Sequence, residues 1–296
     1  MMWLLIALGI GLMTFGADWV VGGASRISRH FHISAFVISA LIIGLGANIP
    51  ETAVTFLSAG TSLESMIMPT MVTSNIFNIL GVIAVIAIIK PIYIQHVSMR
   101  EIKILLVSSA LLVIMLYDGR LDWVEGTGLL LIFIYYCLGA KPHANPHDTF
   151  YFNWWETMFM VFAGTMLIYA GSHLFLQGIN RIVEELHMSG SSLGALIAAP
   201  GTTGPEIIVS ILSIIRKKPQ ILIGNIVGSC VSHIVFVSGI AGIIAQPAML
   251  LPFDALLMLL ATILFCIDIV WRKKITRLSG VIYLILLFLY FATVLV

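Results

Sequence analysis

The chain has 296 residues, 60% of them hydrophobic and only 10% charged, with a formal net charge of +1. No soluble core absorbs that much apolar sequence, so composition excludes a soluble enzyme and leaves a polytopic membrane protein whose first partner is the lipid bilayer. The near-zero charge gives no reason to expect a nucleic-acid partner.

Ten apolar spans follow in chain order: residues 2–22, 33–59, 65–89, 102–117 and 123–140, then 155–178, 187–215, 219–247, 251–271 and 275–295. The first lacks a basic flank and a small-residue cleavage site, so it reads as a retained span and not as a signal peptide. Cys137, Cys230 and Cys266 lie far apart in apolar segments, without metal or disulfide spacing, and are expected as buried free thiols.

Span 2 is interrupted by Gly44, Gly46 and Pro50, followed by Glu51. Span 7 is interrupted by Pro200, Gly201, Gly204 and Pro205, followed by Glu206. A carboxylate and a helix breaker are both costly at membrane depth, so their joint repetition argues for a function. At such a break the first half-helix ends in free carbonyls, and the second begins with proline and a glutamate that its dipole helps keep ionised. Two such carboxylates with carbonyl and hydroxyl oxygens make a hard, oxygen-rich cation site.

The offset of 155 between the glutamates also aligns, without a gap, Gly16 with Gly171, Gly23 with Gly178, Arg26 with Arg181, Ser74 with Ser229 and Ile79 with Ile234. The chain is therefore an internal duplication. Five spans per copy force the second copy to enter the membrane upside down. The expected fold is an all-α membrane protein of ten transmembrane helices in two inverted five-helix repeats, with helices 2 and 7 broken. The first repeat is assigned to residues 1–140, a cytoplasmic linker to 141–154 and the second repeat to 155–296.

The connections after odd-numbered spans carry 13 of the 15 basic residues, leaving Arg120 and Arg181 for the other side. The positive-inside rule puts the odd connections in the cytoplasm and both termini outside, with the cell membrane as the expected location. The linker holds His143 and His147, read as solvated loop residues, and runs into Trp154 and Trp155, read as an interfacial anchor. Asp18 aligns with His173 and is expected near the interface, away from any ion path.

Spans 3 and 8 add a second pair of polar groups, each starting 23 residues after its glutamate. Ser74 and Asn78 are four apart and share a helix face, as do Ser229 and His233. Gly224 and Gly228 ahead of Ser229 are expected to let span 8 pack closely. At these residues the chain resembles the cation/calcium exchanger superfamily, which includes the sodium/calcium exchangers. Its paired motif is like Gly-Thr-Ser-Leu-Pro-Glu followed by Gly-Asn-x-x-Gly-Ser-Asn-x-x-Asn/Asp. The matching stretches are Gly46 to Glu51, Thr73 to Asn78, Gly201 to Glu206 and Gly224 to His233.

The resemblance implies that Glu51 and Glu206 ligate calcium and share oxygens with sodium sites, that Ser74 and Ser229 line them, and that the repeats rearrange for alternating access. The candidate cation ligands are Glu51, Glu206, Asn48, Ser74, Asn78, Thr202, Thr203, Ser229 and His233, with no cofactor. Three departures stand out. Ala47-Asn48 replaces Thr-Ser, Pro69-Thr70 replaces Gly-Asn, and His233 stands where these exchangers commonly carry Asp. A neutral or cationic ring in place of a carboxylate leaves two glutamates against one divalent ion, which weakens the case for sodium coupling and strengthens that for protons.

The expected function is a secondary antiporter exchanging calcium or another divalent cation for sodium or protons. Two other classes stay open: an intramembrane enzyme using the glutamates, with or without a metal on His233, and a passive channel or non-transporting scaffold. The chain has neither an HExxH nor a GxSxG motif. Plainer readings exist for single residues: a structural hydrogen bond for either glutamate, a packing role for His233, and bonding to a carbonyl four residues back for the hydroxyls of Ser74, Ser229, Thr202 and Thr203.

Overall fold

The computed structural model describes residues 2–44, 48, 67–94, 97–139, 153–185, 203–247 and 252–295. Ten helices are present among them. In the first half they are α1 (Met2–Phe31), α2 (Ala35–Ile38, continued by a π-helical stretch Ser39–Ile43), α3 (Ile67–Ile89), α4 (Met99–Met115) and α5 (Trp123–Cys137). In the second they are α6 (Trp154–Glu185), α7 (Gly204–Ile215), α8 (Pro219–Ile244), α9 (Pro252–Val270) and α10 (Arg277–Leu295). Five contain stretches long and apolar enough to cross a membrane.

α1 and α6 run well past the apolar spans expected at 2–22 and 155–178, because residues beyond the apolar run, such as Arg26 and Arg29, are themselves compatible with helix. The breaks expected at Gly46 and Pro50 of span 2 and at Pro200 and Gly201 of span 7 lie outside the described residues. The helix described in span 7 begins at Gly204 with Pro205 in the first turn, where a missing N–H costs nothing.

The duplication is visible in packing. α1 and α6 lie antiparallel, and a Cβ added at Gly9 would meet Gly171 O at 2.7 Å, while one at Gly16 would meet Gly164 O at 2.5 Å. The next heptad step repeats this, with Gly23 against Thr157 and Val161, and Gly178 against Met2 and Ile6. Each contact maps onto its mate under the offset of 155, as an inverted repeat about a two-fold axis requires. Glycine is needed here because backbones that approach this closely leave no room for a side chain.

Connections fall on two faces. Those after the third and ninth helices pair as a short antiparallel ladder of β1 (Ile92–Tyr93) with β2 (Lys274–Ile275). On the same face Arg26, in the last two turns of α1, forms an ion pair with Glu156 at the start of α6. On the other face Leu121 N–H donates to Pro247 O, joining the connections after α4 and α8.

Two apolar cores meet at Ile33, which packs against both. The larger is built mainly from α3, α4, α5, α8, α9 and α10 around Phe265, Tyr136 and Leu105. The smaller gathers Ala17, Val20 and Ala24 of α1, Ile168 of α6, Ile38 and Ile43 of span 2 and Val209 of α7. Cys230 and Cys266 are buried free thiols as expected, while Cys137 is free but only half-buried.

Candidate functional site

α7 presents Glu206 one residue after Pro205, at the positive end of its dipole, with the side chain 1% exposed. The facing surface belongs to α8. Ser229 Oγ donates to Glu206 Oε1 at 3.2 Å, and one turn along both helices Asn225 Nδ2 donates to Ser210 Oγ at 3.4 Å. The serine of the repeated motif thus meets the glutamate of the preceding span.

Close approach makes this possible. A Cβ on Gly224 would sit 2.3 Å from Phe36 O, and one on Gly228 would sit 2.1 Å from Ala40 O. The face of α8 adjoining Ser229 therefore lies directly on the backbone of span 2. Span 2 reaches back to it, as Asn48 Nδ2 donates to Ser229 O at 3.0 Å. Ser229 is bridged to both repeats, by its hydroxyl to Glu206 and by its carbonyl to Asn48.

α3 and α8 meet at Asn75 and Cys230, which are equivalent under the offset of 155. Asn75 Nδ2 donates to Cys230 O at 3.5 Å, and the buried His233 places Nδ1 3.0 Å from Asn75 Oδ1. Since the Asn75 amide spends its N–H on Cys230, its oxygen is the acceptor and His233 Nδ1 carries the hydrogen. In a neutral ring this leaves Nε2 as a lone-pair acceptor.

Several polar atoms in this fully buried region have no hydrogen-bond partner: Glu206 Oε2, both Asn78 side-chain atoms, Asn225 Oδ1, Ser232 Oγ and His233 Nε2. An orphaned buried polar atom typically costs about 1–3 kcal/mol, so a cluster of them at membrane depth is a place where something else binds. Glu206, Asn225 and Asn78 supply oxygens and His233 a nitrogen, a donor set suited to a dehydrated cation.

Of the other expected residues, Ser74 is buried on α3. Thr203 stands at the N-cap of α7 with its carbonyl accepting from Ile207 N–H at 3.0 Å, and its hydroxyl does not cap the helix. Glu51 and Thr202 lie outside the described residues, as do His143 and His147. Asp18 forms an exposed ion pair with Arg216 and stands apart from the buried cluster, as expected. Among the described residues no three His, Cys, Asp or Glu side chains gather at metal-binding spacing.

Sequence reading missed Asn75, Asn225 and Ser210 as parts of the site. The signals were present for two of them: Ser210 lies one turn after Glu206, and Asn225 one turn before Ser229, so both extend a known polar face. A further feature had no signal in composition. α3 turns π-helical at Asn78–Ile83 and α8 at Ser232–Val237, stretches that coincide within one residue under the repeat offset. Such widened turns are frequent at functional sites because they re-aim side chains.

Ten helices, two inverted repeats and a buried polar cluster between them define an inverted-repeat membrane transport fold. The chain belongs to the sodium/calcium exchanger protein family, whose model matches residues 1–140 and 156–296. It is 29% identical to a putative antiporter, CaxA, of Alkalimonas amylolytica, over 94% of each chain. It is 27% identical to an uncharacterised membrane protein of Methanocaldococcus jannaschii, over 94% of this chain and 93% of the other. A solved structure of the sodium-calcium exchanger NCX_Mj superposes with a TM-score of 0.87 at 25% identity, covering 99% of both chains.

Proposed function

We propose that this chain is a secondary antiporter that carries calcium or another divalent cation in exchange for sodium or protons by alternating access, and is not an enzyme. The observation that supports this most is the buried constellation at the α7–α8 contact: a carboxylate with one oxygen engaged by Ser229 and one unpartnered, facing amides whose oxygens are also unpartnered. Kinship with a family of exchangers points the same way.

In this reading Glu206 and Glu51 supply the charge that balances one divalent ion. Asn48, Ser74, Asn78, Thr202, Thr203, Ser229 and His233 supply neutral donors that replace its water. The repeats, residues 1–140 and 155–296, are joined by a cytoplasmic linker, 141–154, and both termini lie outside the cell membrane. The test is calcium-45 uptake into proteoliposomes under sodium and proton gradients imposed in turn, with manganese and magnesium as competitors. Uptake that follows neither gradient contradicts the reading.

Proton coupling is favoured by one observation, the free Nε2 of His233. A proton on Nε2 and a cation beside it compete for one lone pair, so cation binding expels the proton by linkage.

A further inference from the structure

A cavity of about 770 Å³ opens on the face that carries the ladder of β1 and β2, away from the buried polar cluster. It lies where the end of α1, the connection after α3 and the hairpin between α7 and α8 converge. Among the described residues, four cations line it, Arg29, Lys90, Lys217 and Lys218, and no Asp or Glu does. Lys90 and Lys217 are exposed and make no ion pair among the described residues. Asp18, whose charge bears on Lys218, is already paired with Arg216.

The arrangement is costly for an empty protein. Lys218 is half-buried, its Nζ donating to Ser25 Oγ at 2.6 Å, and burial together with the cations of Arg29 and Arg216 holds it below the ordinary lysine range. Lys217 occupies the left-handed region at φ 56°, a conformation that a non-glycine residue adopts at a cost and that here turns the chain between the two lysines. α8 begins at Pro219 beside them, adding the positive end of a long helix to the same space. Like charges gathered around a cavity, partly desolvated and with a helix N-terminus among them, are stabilised by an anion.

We propose that this cavity binds a phosphate-bearing anion, a phosphomonoester lipid headgroup or free phosphate, held by Lys90, Lys217, Lys218 and Arg29. A basic pocket between transmembrane helices at one membrane face is the usual setting for anionic headgroups. Its ligand ties α1 to the α7–α8 hairpin and to the end of α3, bridging elements of the smaller and larger apolar cores. The inference does not depend on the exchange reading, because its test measures binding and not transport.

The full-length protein in phosphatidylcholine nanodiscs is titrated with radiolabelled inorganic phosphate. Its thermal midpoint is then compared in discs of phosphatidylcholine alone and in discs carrying about one-fifth phosphatidic acid. The variants are Lys90→Gln alone and Lys90→Gln with Lys217→Asn, asparagine being at ease in the left-handed region. The control removes two exposed charges elsewhere, Lys103→Gln with Arg120→Gln. The wild type and the control are expected to bind phosphate, or to melt higher with phosphatidic acid. The single variant is expected to weaken the response and the double variant to weaken it about tenfold or more, in keeping with two lost charged contacts. Stabilisation by the lipid alone assigns a headgroup, and binding of free phosphate assigns a soluble anion. No response to either probe, or equal losses in the control and in the single variant, overturns the proposal.

Discussion

Glu206→Gln keeps the size of the side chain and an oxygen for Ser229 Oγ, and removes only the charge. Divalent uptake is expected to fall by at least about a hundredfold, since a buried divalent ion loses half of its formal counter-charge, while the thermal midpoint in detergent stays within a few degrees of wild type. Uptake near the wild-type rate would remove the carboxylate from the ion path. Asn78→Ala deletes two polar atoms that have no hydrogen-bond partner. It is therefore expected to leave stability unchanged or improved while weakening apparent cation affinity about tenfold, the size of one neutral contact. A loss of stability without a change in affinity would give Asn78 a structural role. For His233, the competition at Nε2 predicts that a proton on the ring and a bound cation exclude one another, so apparent affinity falls as external pH is lowered. His233→Asn is expected to flatten that profile, measured as initial uptake rate against external pH. Identical profiles would make the ring a packing residue.

The helices carry their own test. At Gly228 an added Cβ would lie 2.1 Å from the backbone of Ala40, where no flexible side chain can yield, whereas at Gly11 it would meet nothing within 4 Å. Gly228→Ala is expected to destabilise the protein by about 1–3 kcal/mol, and Gly11→Ala to be neutral or slightly stabilising, as read from denaturation midpoints. Similar midpoints for the two would show that α8 is not seated on span 2 as described. These elements were legible in the sequence to different degrees. Apolar length gave the ten spans, and the offset of 155 gave the relation of Ser229 to Glu206, because both signals depend on residue type alone. The contact of Asn75 with His233 was not legible, since it needs the crossing of α3 over α8. The π-helical turns at Asn78 and Ser232 were not legible either, because no residue type demands an extra residue in a turn; tertiary packing does.

At the scale of the molecule, the division into two apolar cores gives alternating access a physical basis. α1 and α6 pack along a glycine seam and share their small core with span 2, α7 and Ile221 of α8, while the larger core takes no described residue from α1 or α6. A pair joined to each other along a glycine seam can shift as a unit. The Asp18–Arg216 pair spans α1 and the end of α7, and its exposure makes it accessible to reagents. In a Cys137→Ser background, Asp18→Cys with Arg216→Cys joined by a short bifunctional thiol reagent is expected to stop transport reversibly, with either single variant unaffected. Full transport in the cross-linked protein would exclude movement between these helices. The account's central claim is exchange itself, and calcium-45 uptake by purified protein in sealed liposomes tests it most directly. Uptake is predicted to rise when an outward sodium or proton gradient is imposed, to collapse when that gradient is dissipated at constant membrane potential, and to vanish in Glu206→Gln. Uptake that follows membrane potential alone, or that persists in Glu206→Gln, would contradict it.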